Sequence, residues 1–202
     1  MEAYVEMEKR IYGLKGHIVY SKMPEKLEIC ENGYLICEGN EVKGVYESLP
    51  ESYAGIPIED YGDRLIIPGL VDLHLHAPQY TFRGLGMDME LLEWLETNTF
   101  PEEAKYRDLE YAKKAYKRFV DNLRKGATTR ACIFATVHRK ATLHLMDILE
   151  ISGLRTMVGK VNMDRNCPDY LREGTQESAD ETIEWMKDVQ HNKYKKTQAI
   201  LT

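Results

Sequence analysis

The pattern of apolar and polar residues changes character near residue 66. Before that point, short runs rich in β-branched and aromatic residues alternate with turn residues such as Asn32-Gly33 and Gly39-Asn40. The runs predicted to be strands are 16–20, 33–37 and 42–46. We therefore predict a small β domain over residues 1–66.

From residue 67 onward, apolar runs of strand length alternate with segments of helical period. The predicted strands are 68–76, 127–134, 155–163 and 197–202. A first helix is predicted to start at 99–103, with Pro101 in its first turn, and to end at Gly126. A second is predicted over 140–152, ended by Gly153. A third is expected to start with a capping box at 178–181 and to bury its apolar residues, Ile183, Met186 and Val189.

Repeated strand–helix units imply parallel strands joined by right-handed crossovers. Such a chain forms either a doubly wound sheet or a (β/α)8 barrel, and both place ligands at the carboxyl end of the first strand. No glycine-rich phosphate loop follows that strand, which counts against a nucleotide-binding sheet. Four strands cannot close a barrel, so the sequence is predicted to be the N-terminal half of a longer protein. A complete open-sheet domain is the alternative.

Two histidines end the first strand of this second region. In the run from Pro68 to His76, the alternation of side chains puts Asp72, His74 and His76 on one face and Leu73 on the other. Two imidazoles at the end of a rigid strand provide converging nitrogen ligands for a divalent metal. A chance pair is the alternative, but the apolar strand before it favours the metal site.

Composition narrows the class of protein. The net charge of -6 and the dispersed basic residues argue against a nucleic-acid or anionic-membrane surface. No apolar run approaches a membrane span, and the charged first ten residues lack the apolar core of a signal peptide. The cysteines show no C-x-x-C spacing and are expected to be reduced thiols, as in a cytoplasmic protein; they are Cys30, Cys37, Cys132 and Cys167.

Several motifs carry a family resemblance. PGLVDLHLH (68–76) resembles the first barrel strand of the amidohydrolase superfamily, whose members are metal-dependent hydrolases with a (β/α)8 barrel and a small β-sandwich. Further segments resemble the guanine deaminase family within it, and they are HAPQY (76–80), LLEWL (91–95) with TFP (99–101), GATT (126–129) with FAT (134–136) and His138, and GKVNMD (159–164). The resemblance extends from about residue 11 to the last residue. It implies the first half of an amidohydrolase barrel over 67–202, preceded by the N-terminal part of a β-sandwich over 1–66.

The resemblance also implies site residues. His74 and His76 match two zinc ligands, although a site of this kind also accepts iron. His76, Ala77, Pro78 and Gln79 match a segment that lines a purine pocket, where an amide can pair with a base edge. The implied reaction is zinc-dependent conversion of guanine to xanthine and ammonia.

The resemblance leaves part of the site outside the chain. The family's remaining metal ligands, its proton-transferring glutamate and its arginine–phenylalanine pair lie beyond residue 202. The chain alone is therefore expected to be inactive, and the full-length form to be a homodimer. Two alternatives stay open: another amidohydrolase acting on a related heterocycle, or a non-catalytic half-barrel that needs a partner.

Other residues are weaker candidates for the site. Asp72 is either a partner of a ligand histidine or a carboxylate bound to backbone. Trp94, with its leucine neighbours in 91–95, either stacks on a flat base or belongs to the core. Further pocket candidates are Tyr80, Phe82, Arg83, His138, Asn162 and Asp164. The remaining histidines are expected to be structural or exposed, and they are His17, His144 and His191.

Overall fold

A computed structural model describes residues 10–202, which form two compact units divided between Pro68 and Gly69. The predicted boundary at residue 66 lies two residues earlier in the chain. Residues 1–9, which make up most of the N-terminal segment predicted to lack a signal peptide, lie outside the described residues. No helix within 10–202 is long and apolar enough to cross a membrane.

The first unit contains one four-stranded sheet in the order β3-β2-β1-β4. Its strands are β1 (Ile11–Met23), β2 (Lys26–Glu38), β3 (Glu41–Tyr46) and β4 (Ile58–Ile66). β1 is antiparallel to β2 and parallel to β4. Ile18 and Ile36 are its most deeply buried side chains. The described residues thus supply a single sheet, and the β-sandwich stays a prediction.

The second unit contains a parallel sheet in the order β5-β6-β7-β8. Its strands are β5 (Leu70–His76), β6 (Thr128–Phe134), β7 (Arg155–Gly159) and β8 (Thr197–Ala199). Because the strands are parallel and follow the chain order, their carboxyl ends lie at one edge of the sheet. A ligand site at this edge therefore draws residues from the segments that follow each strand.

Helices connect these strands. They are α1 (Leu91–Trp94), α2 (Phe100–Lys105), α3 (Leu109–Leu123), α4 (Arg139–Glu150) and α5 (Thr175–Asn192). One π-helical turn, Leu95–Thr99, joins α1 to α2, and a 3₁₀ turn, Pro78–Phe82, follows β5. The main core lies between the sheet and the helices α3, α4 and α5, where Tyr116, Leu145 and Trp185 are fully buried.

The predicted helix start at 99–103 coincides with the start of α2 at Phe100, with Pro101 in its first turn, but the helical residues before it were not predicted. Helical structure already begins at Leu91, so Pro101 lies inside a continuous helical segment. Proline is tolerated there because Pro101 lies in the first turn of α2, directly after the π-helical turn. The predicted single helix is also interrupted after Lys105, and α3 starts anew with Asp108 as its N-cap, accepting a hydrogen bond from the Glu110 amide at 2.9 Å.

The predicted capping box at 178–181 is wrong. α5 starts at Thr175, and the Gly174 amide donates to the Glu177 carboxylate at 3.3 Å. The Ser178 hydroxyl lies in the helix and donates to side chains elsewhere. Ile183, which was expected in the core, is 53% exposed, whereas Trp185 is fully buried.

Two predicted strands are shorter in the structure. The strand expected over 155–163 ends at Gly159, and the strand expected over 197–202 ends at Ala199. Lys160, Asn162 and Glu173 exchange side-chain hydrogen bonds directly beyond β7, which gives this segment an alternative to ladder pairing.

Candidate metal centre

β5 places its two terminal histidines against a single aromatic ring. In the parallel pairing of β5 with β6, His76 lies opposite Phe134. The His76 ring stacks on the Phe134 ring with centroids 4.7 Å apart and an interplanar angle of 18°. The His74 ring lies at the same distance from Phe134 but is tilted by 53°. Phe134 thus fixes the orientation of both imidazoles.

The two imidazoles converge on one point. The Nε2 atoms of His74 and His76 are 3.1 Å apart. Two nitrogen ligands of a tetrahedral zinc, at the usual Zn–N distance, are separated by roughly 3.3 Å. The observed spacing therefore fits two ligands of one divalent ion. Burial, and then the neighbouring His74, lower the pKa of His76, which favours the neutral form that metal binding requires.

The Asp72 carboxylate binds the main chain. Its Oδ1 accepts a hydrogen bond from the backbone amide of His74 at 3.1 Å. This contact corresponds to the backbone-bound alternative considered for this carboxylate. Asp72 thereby stabilises the C-terminal end of the strand that carries both histidines.

A cavity of about 600 Å³ opens beside the histidine pair, large enough for a small heterocycle. Its lining brings together His74, His76, Gln79 and Trp94. The indole nitrogen of Trp94 donates to the Leu85 carbonyl at 3.1 Å. This bond fixes the indole at the wall of the cavity. Tyr80, Phe82 and Arg83 line the same cavity, as do Leu91 and Leu95.

Two residues of the predicted purine segment point elsewhere. Ala77 is fully buried in the core, and its amide donates to the Phe134 carbonyl at 3.0 Å. Pro78 is buried at the start of the 3₁₀ turn. Neither belongs to the lining of the cavity, whereas Gln79, one position later, does. Ala77 and Pro78 thus position the turn that presents Gln79.

Asn162 and Asp164, two further pocket candidates, lie in a polar cluster in the segment that follows β7. Asn162 Oδ1 accepts hydrogen bonds from Ser178 and Thr182 at 2.9 and 2.7 Å, and Asp164 accepts one from Thr175 at 3.0 Å. These contacts are structural and hold α5 to the loop.

His138 lies at the N-cap position of α4, and its Nε2 atom is buried without a hydrogen-bond partner among the described residues. Its side chain is half-buried, and it does not line the cavity beside His74 and His76. Burial, followed by the charge of Arg107, lowers its pKa.

Three buried ionisable side chains escaped the sequence analysis. Lys160 is inaccessible to solvent and pairs with Glu173 at 3.1 Å. Glu102 and Glu103, which belong to the predicted helix start at 99–103, are 6% and 4% exposed. Burial raises the pKa of Glu103 to about 7, despite hydrogen bonds from Thr136 and from the Val137 amide. Burial also opposes ionisation of Glu102, but hydrogen bonds from Lys105 and Tyr111 outweigh it and lower its pKa.

The two histidines His74 and His76, which we call the metal pair, receive no third ligand from the residues that the structure describes. Within residues 10–202, no group of three or more histidine, cysteine or acidic side chains is arranged to hold a metal ion. His74 and His76 could therefore hold a metal ion only together with donors from outside the described residues. Such a centre needs further donors, and a hydrolytic site needs an open position as well.

A strand ending in two convergent histidines, at the carboxyl edge of a parallel sheet with helical crossovers, defines one part of a metal-dependent barrel hydrolase. The chain belongs to the amidohydrolase family, whose model matches residues 65–200. Its fold is the N-terminal portion of the α/β barrel architecture of these enzymes.

The most similar proteins include several guanine deaminases. The chain is 34% identical to that of Dictyostelium discoideum over 90% of its own length and 44% of the relative's length. It is 43% identical to the human guanine deaminase over 67% of its length, which is 30% of the relative. It superimposes with a TM-score of 0.89 and 42% identity on the crystal structure of guanine deaminase from C. acetobutylicum with bound guanine in the active site, covering 96% of this chain and 46% of that one. The chain thus spans less than half the length of these relatives.

Proposed function

We propose that this protein takes part in the metal-dependent hydrolytic deamination of guanine, with water consumed and xanthine and ammonia formed. The observation that carries the proposal is the convergence of His74 and His76 beside Gln79 in one cavity. Similarity to guanine deaminases along most of the chain supports guanine as the substrate.

His74 and His76 would hold the metal, which we propose to be zinc, with iron as the alternative. When bound, such an ion supplies Lewis-acid activation of water for hydrolysis. Phe134 keeps both imidazoles at the required spacing, because each ring lies 4.7 Å from it. Burial lowers the pKa of His76 and so favours its neutral imidazole, which reduces the competition of protons with the ion for its nitrogen.

Gln79 and Trp94 would bind the base. The amide of Gln79 both donates and accepts hydrogen bonds, so it can pair with the edge of a purine without neutralising the metal. Trp94 offers a flat apolar surface at the cavity wall, held by its bond to Leu85. The two side chains therefore supply the two kinds of contact that a planar polar base needs.

The described residues do not contain a full catalytic set. His74 and His76 are joined by no third metal ligand within 10–202. Glu103 is a buried carboxyl with a raised pKa, but it binds the Val137 amide and does not line the cavity. We therefore propose that the chain alone is inactive and that the missing ligands and the proton-transferring group are supplied by further sequence. A cytoplasmic location and a homodimeric full-length form are part of the same proposal.

The test is ammonia release from guanine, with zinc added, by the 202-residue chain and by the product of its gene read to the natural end of the frame. Activity of the longer product alone is the expected result. Activity of the short chain would overturn the proposed need for further ligands. Absence of guanine turnover in both, with ammonia released from another aminated heterocycle, would reassign the substrate within the same family.

A further inference from the structure

A second cleft, separate from the metal pair, has a basic lining. It measures about 780 Å³ and is bounded by the 3₁₀ turn after β5 and one face of α3. Its lining residues are Tyr80, Thr81, Arg83, Tyr111, Lys114, Ala115, Arg118 and Asn122. Three of these are cations and none is an acid. For a chain of net charge -6, this is an unusual local excess of positive charge. We call it the basic cleft.

The cations of α3 fall into two classes. Lys113 pairs with Glu110 at 2.7 Å, and Lys117 pairs with Asp121 at 2.6 Å. Lys114, in contrast, forms no ion pair with any residue of 10–202. Lys113 and Lys117 are thus paired within the helix, whereas the residue that follows each of them, Lys114 or Arg118, is a cation without such a partner.

Lys114 and Arg118 are separated by four positions and therefore lie on the same face of α3. Like charges at this spacing destabilise a helix. Arg118 also forms no ion pair among the described residues, so this cost is not offset within that part of the chain. A bound anion would offset it.

The 3₁₀ turn holds the third cation in place. The Arg83 guanidinium carbon lies 3.9 Å from the centroid of the Tyr80 ring, and its Nη1 donates to the Tyr80 carbonyl at 3.4 Å. Tyr80 is held by the buried Phe119, with ring centroids 5.6 Å apart. Arg83 is thus anchored by stacking, while several of its donors stay free for an oxyanion.

One carboxylate lies behind the wall of the cleft. The Tyr111 hydroxyl donates to Glu102, and Lys105 pairs with the same carboxylate at 2.7 Å. Glu102 is only 6% exposed and is neutralised by these contacts, so it does not cancel the charge of Lys114, Arg118 and Arg83. The hydroxyl group of Thr81 and the amide of Asn122 add neutral polar groups to the lining.

We propose that the basic cleft binds a phosphate-bearing small molecule, either inorganic phosphate or a nucleoside monophosphate. Guanidinium groups match phosphate oxygens in geometry, and a lysine adds a point charge. Tyr80 and Arg83 line both this cleft and the cavity of the metal pair. An anion bound by Arg83 therefore contacts the wall of the candidate substrate cavity.

The experiment is calorimetric titration of the purified protein with inorganic phosphate, with a nucleoside monophosphate and with the matching nucleoside, at constant ionic strength. The variant Lys114→Gln/Arg118→Gln is compared with Lys113→Gln/Lys117→Gln, which removes the same charge from the same helix. We expect phosphate affinity to fall about tenfold or more in the first and to stay within about twofold in the second.

The possible outcomes distinguish inorganic phosphate from a nucleotide as the ligand. They also show whether the proposed site exists. Binding of phosphate and the monophosphate but not of the nucleoside supports the site, and tighter binding of the monophosphate assigns it to nucleotides. Equal loss in both double variants, or no binding of either phosphate compound, overturns it. Circular dichroism melting of each variant controls for folding. None of these readouts requires deaminase activity, so the result is independent of the proposed function.

Discussion

The Glu103 carboxylate accepts a hydrogen bond at 3.1 Å from the backbone amide of Val137, in the segment that follows β6. It thereby ties α2 to the carboxyl edge of the parallel sheet, next to the strand that carries Phe134. The same carboxyl is almost fully buried, and burial raises its pKa to about 7. A structural contact of this fold is therefore linked to pH.

Glu103 should make stability fall as the pH rises. The folded protein holds this proton up to about pH 7, whereas an unfolded glutamate loses it near its ordinary pKa of 4.5. The unfolded state therefore binds fewer protons in this window, and the free energy of unfolding decreases by up to about 3 kcal/mol between these two pH values. Glu103→Gln should lack this decrease, which urea unfolding at a series of pH values measures.

Glu102→Gln is the matched control for that series, because hydrogen bonds lower the pKa of Glu102. The charged form of Glu102 is favoured in the folded state, so its substitution should leave the decrease from pH 4.5 to 7 in place. An unchanged pH profile in Glu103→Gln would show that the Glu103 carboxyl is charged in the folded protein.

His74→Ala in the full-frame gene product should weaken zinc binding by at least about tenfold, because it removes one of two convergent nitrogens. His191→Ala, at the exposed end of α5, should leave zinc binding as it is. Metal content after dialysis, measured by plasma emission spectrometry, distinguishes the two. Full zinc retention in His74→Ala would contradict the ligand assignment.

Gln79→Ala should reduce guanine turnover by the full-frame gene product about 10- to 100-fold while its zinc content stays normal. The reason is that Gln79 lines the cavity beside the histidines without being one of the metal pair. Gln176→Ala, an exposed residue bonded to Asp180, serves as the control. Unaltered kinetics in Gln79→Ala would remove this side chain from base recognition.

Trp185→Ala should lower the free energy of unfolding by about 3–5 kcal/mol, since a fully buried aromatic ring is lost from the core. Ile183→Ala on the same helix should cost less than about 1 kcal/mol, because Ile183 is 53% exposed. Denaturant unfolding of both variants tests which residue anchors α5. Similar losses in the two would mean that α5 packs differently.

Lys160→Ala should destabilise the protein by about 3–5 kcal/mol, because it leaves the Glu173 carboxylate without its buried partner. Lys187 forms an even closer pair with Glu184, at 2.6 Å, but on the exposed surface, and its substitution should have no measurable effect. Thermal unfolding of the two variants compares them directly. A mild loss for Lys160→Ala would indicate that the hydrogen bonds from Met163 and Ser178 are enough to hold the Glu173 carboxylate.

Sequence reasoning succeeded where the signal is local. The strand that ends in His74 and His76 follows from alternation, and its place at a sheet edge follows from the strand–helix order. It failed where distant segments meet. The burial of Glu103 depends on the loop after β6, and the choice of Trp185 over Ile183 depends on which face of α5 meets the core.

The sequence by itself determined the order of strands and helices, the parallel sheet and the pair of histidines on one strand face. Tertiary structure alone decided that Phe134 orients this pair, that Gln79 rather than Ala77 or Pro78 reaches the cavity, and that Arg83 lies beside the cations of α3. The reason is physical. Period and turn chemistry act between residues close in sequence, whereas burial, charge pairing and cavity lining are set by segments that meet only when the chain folds.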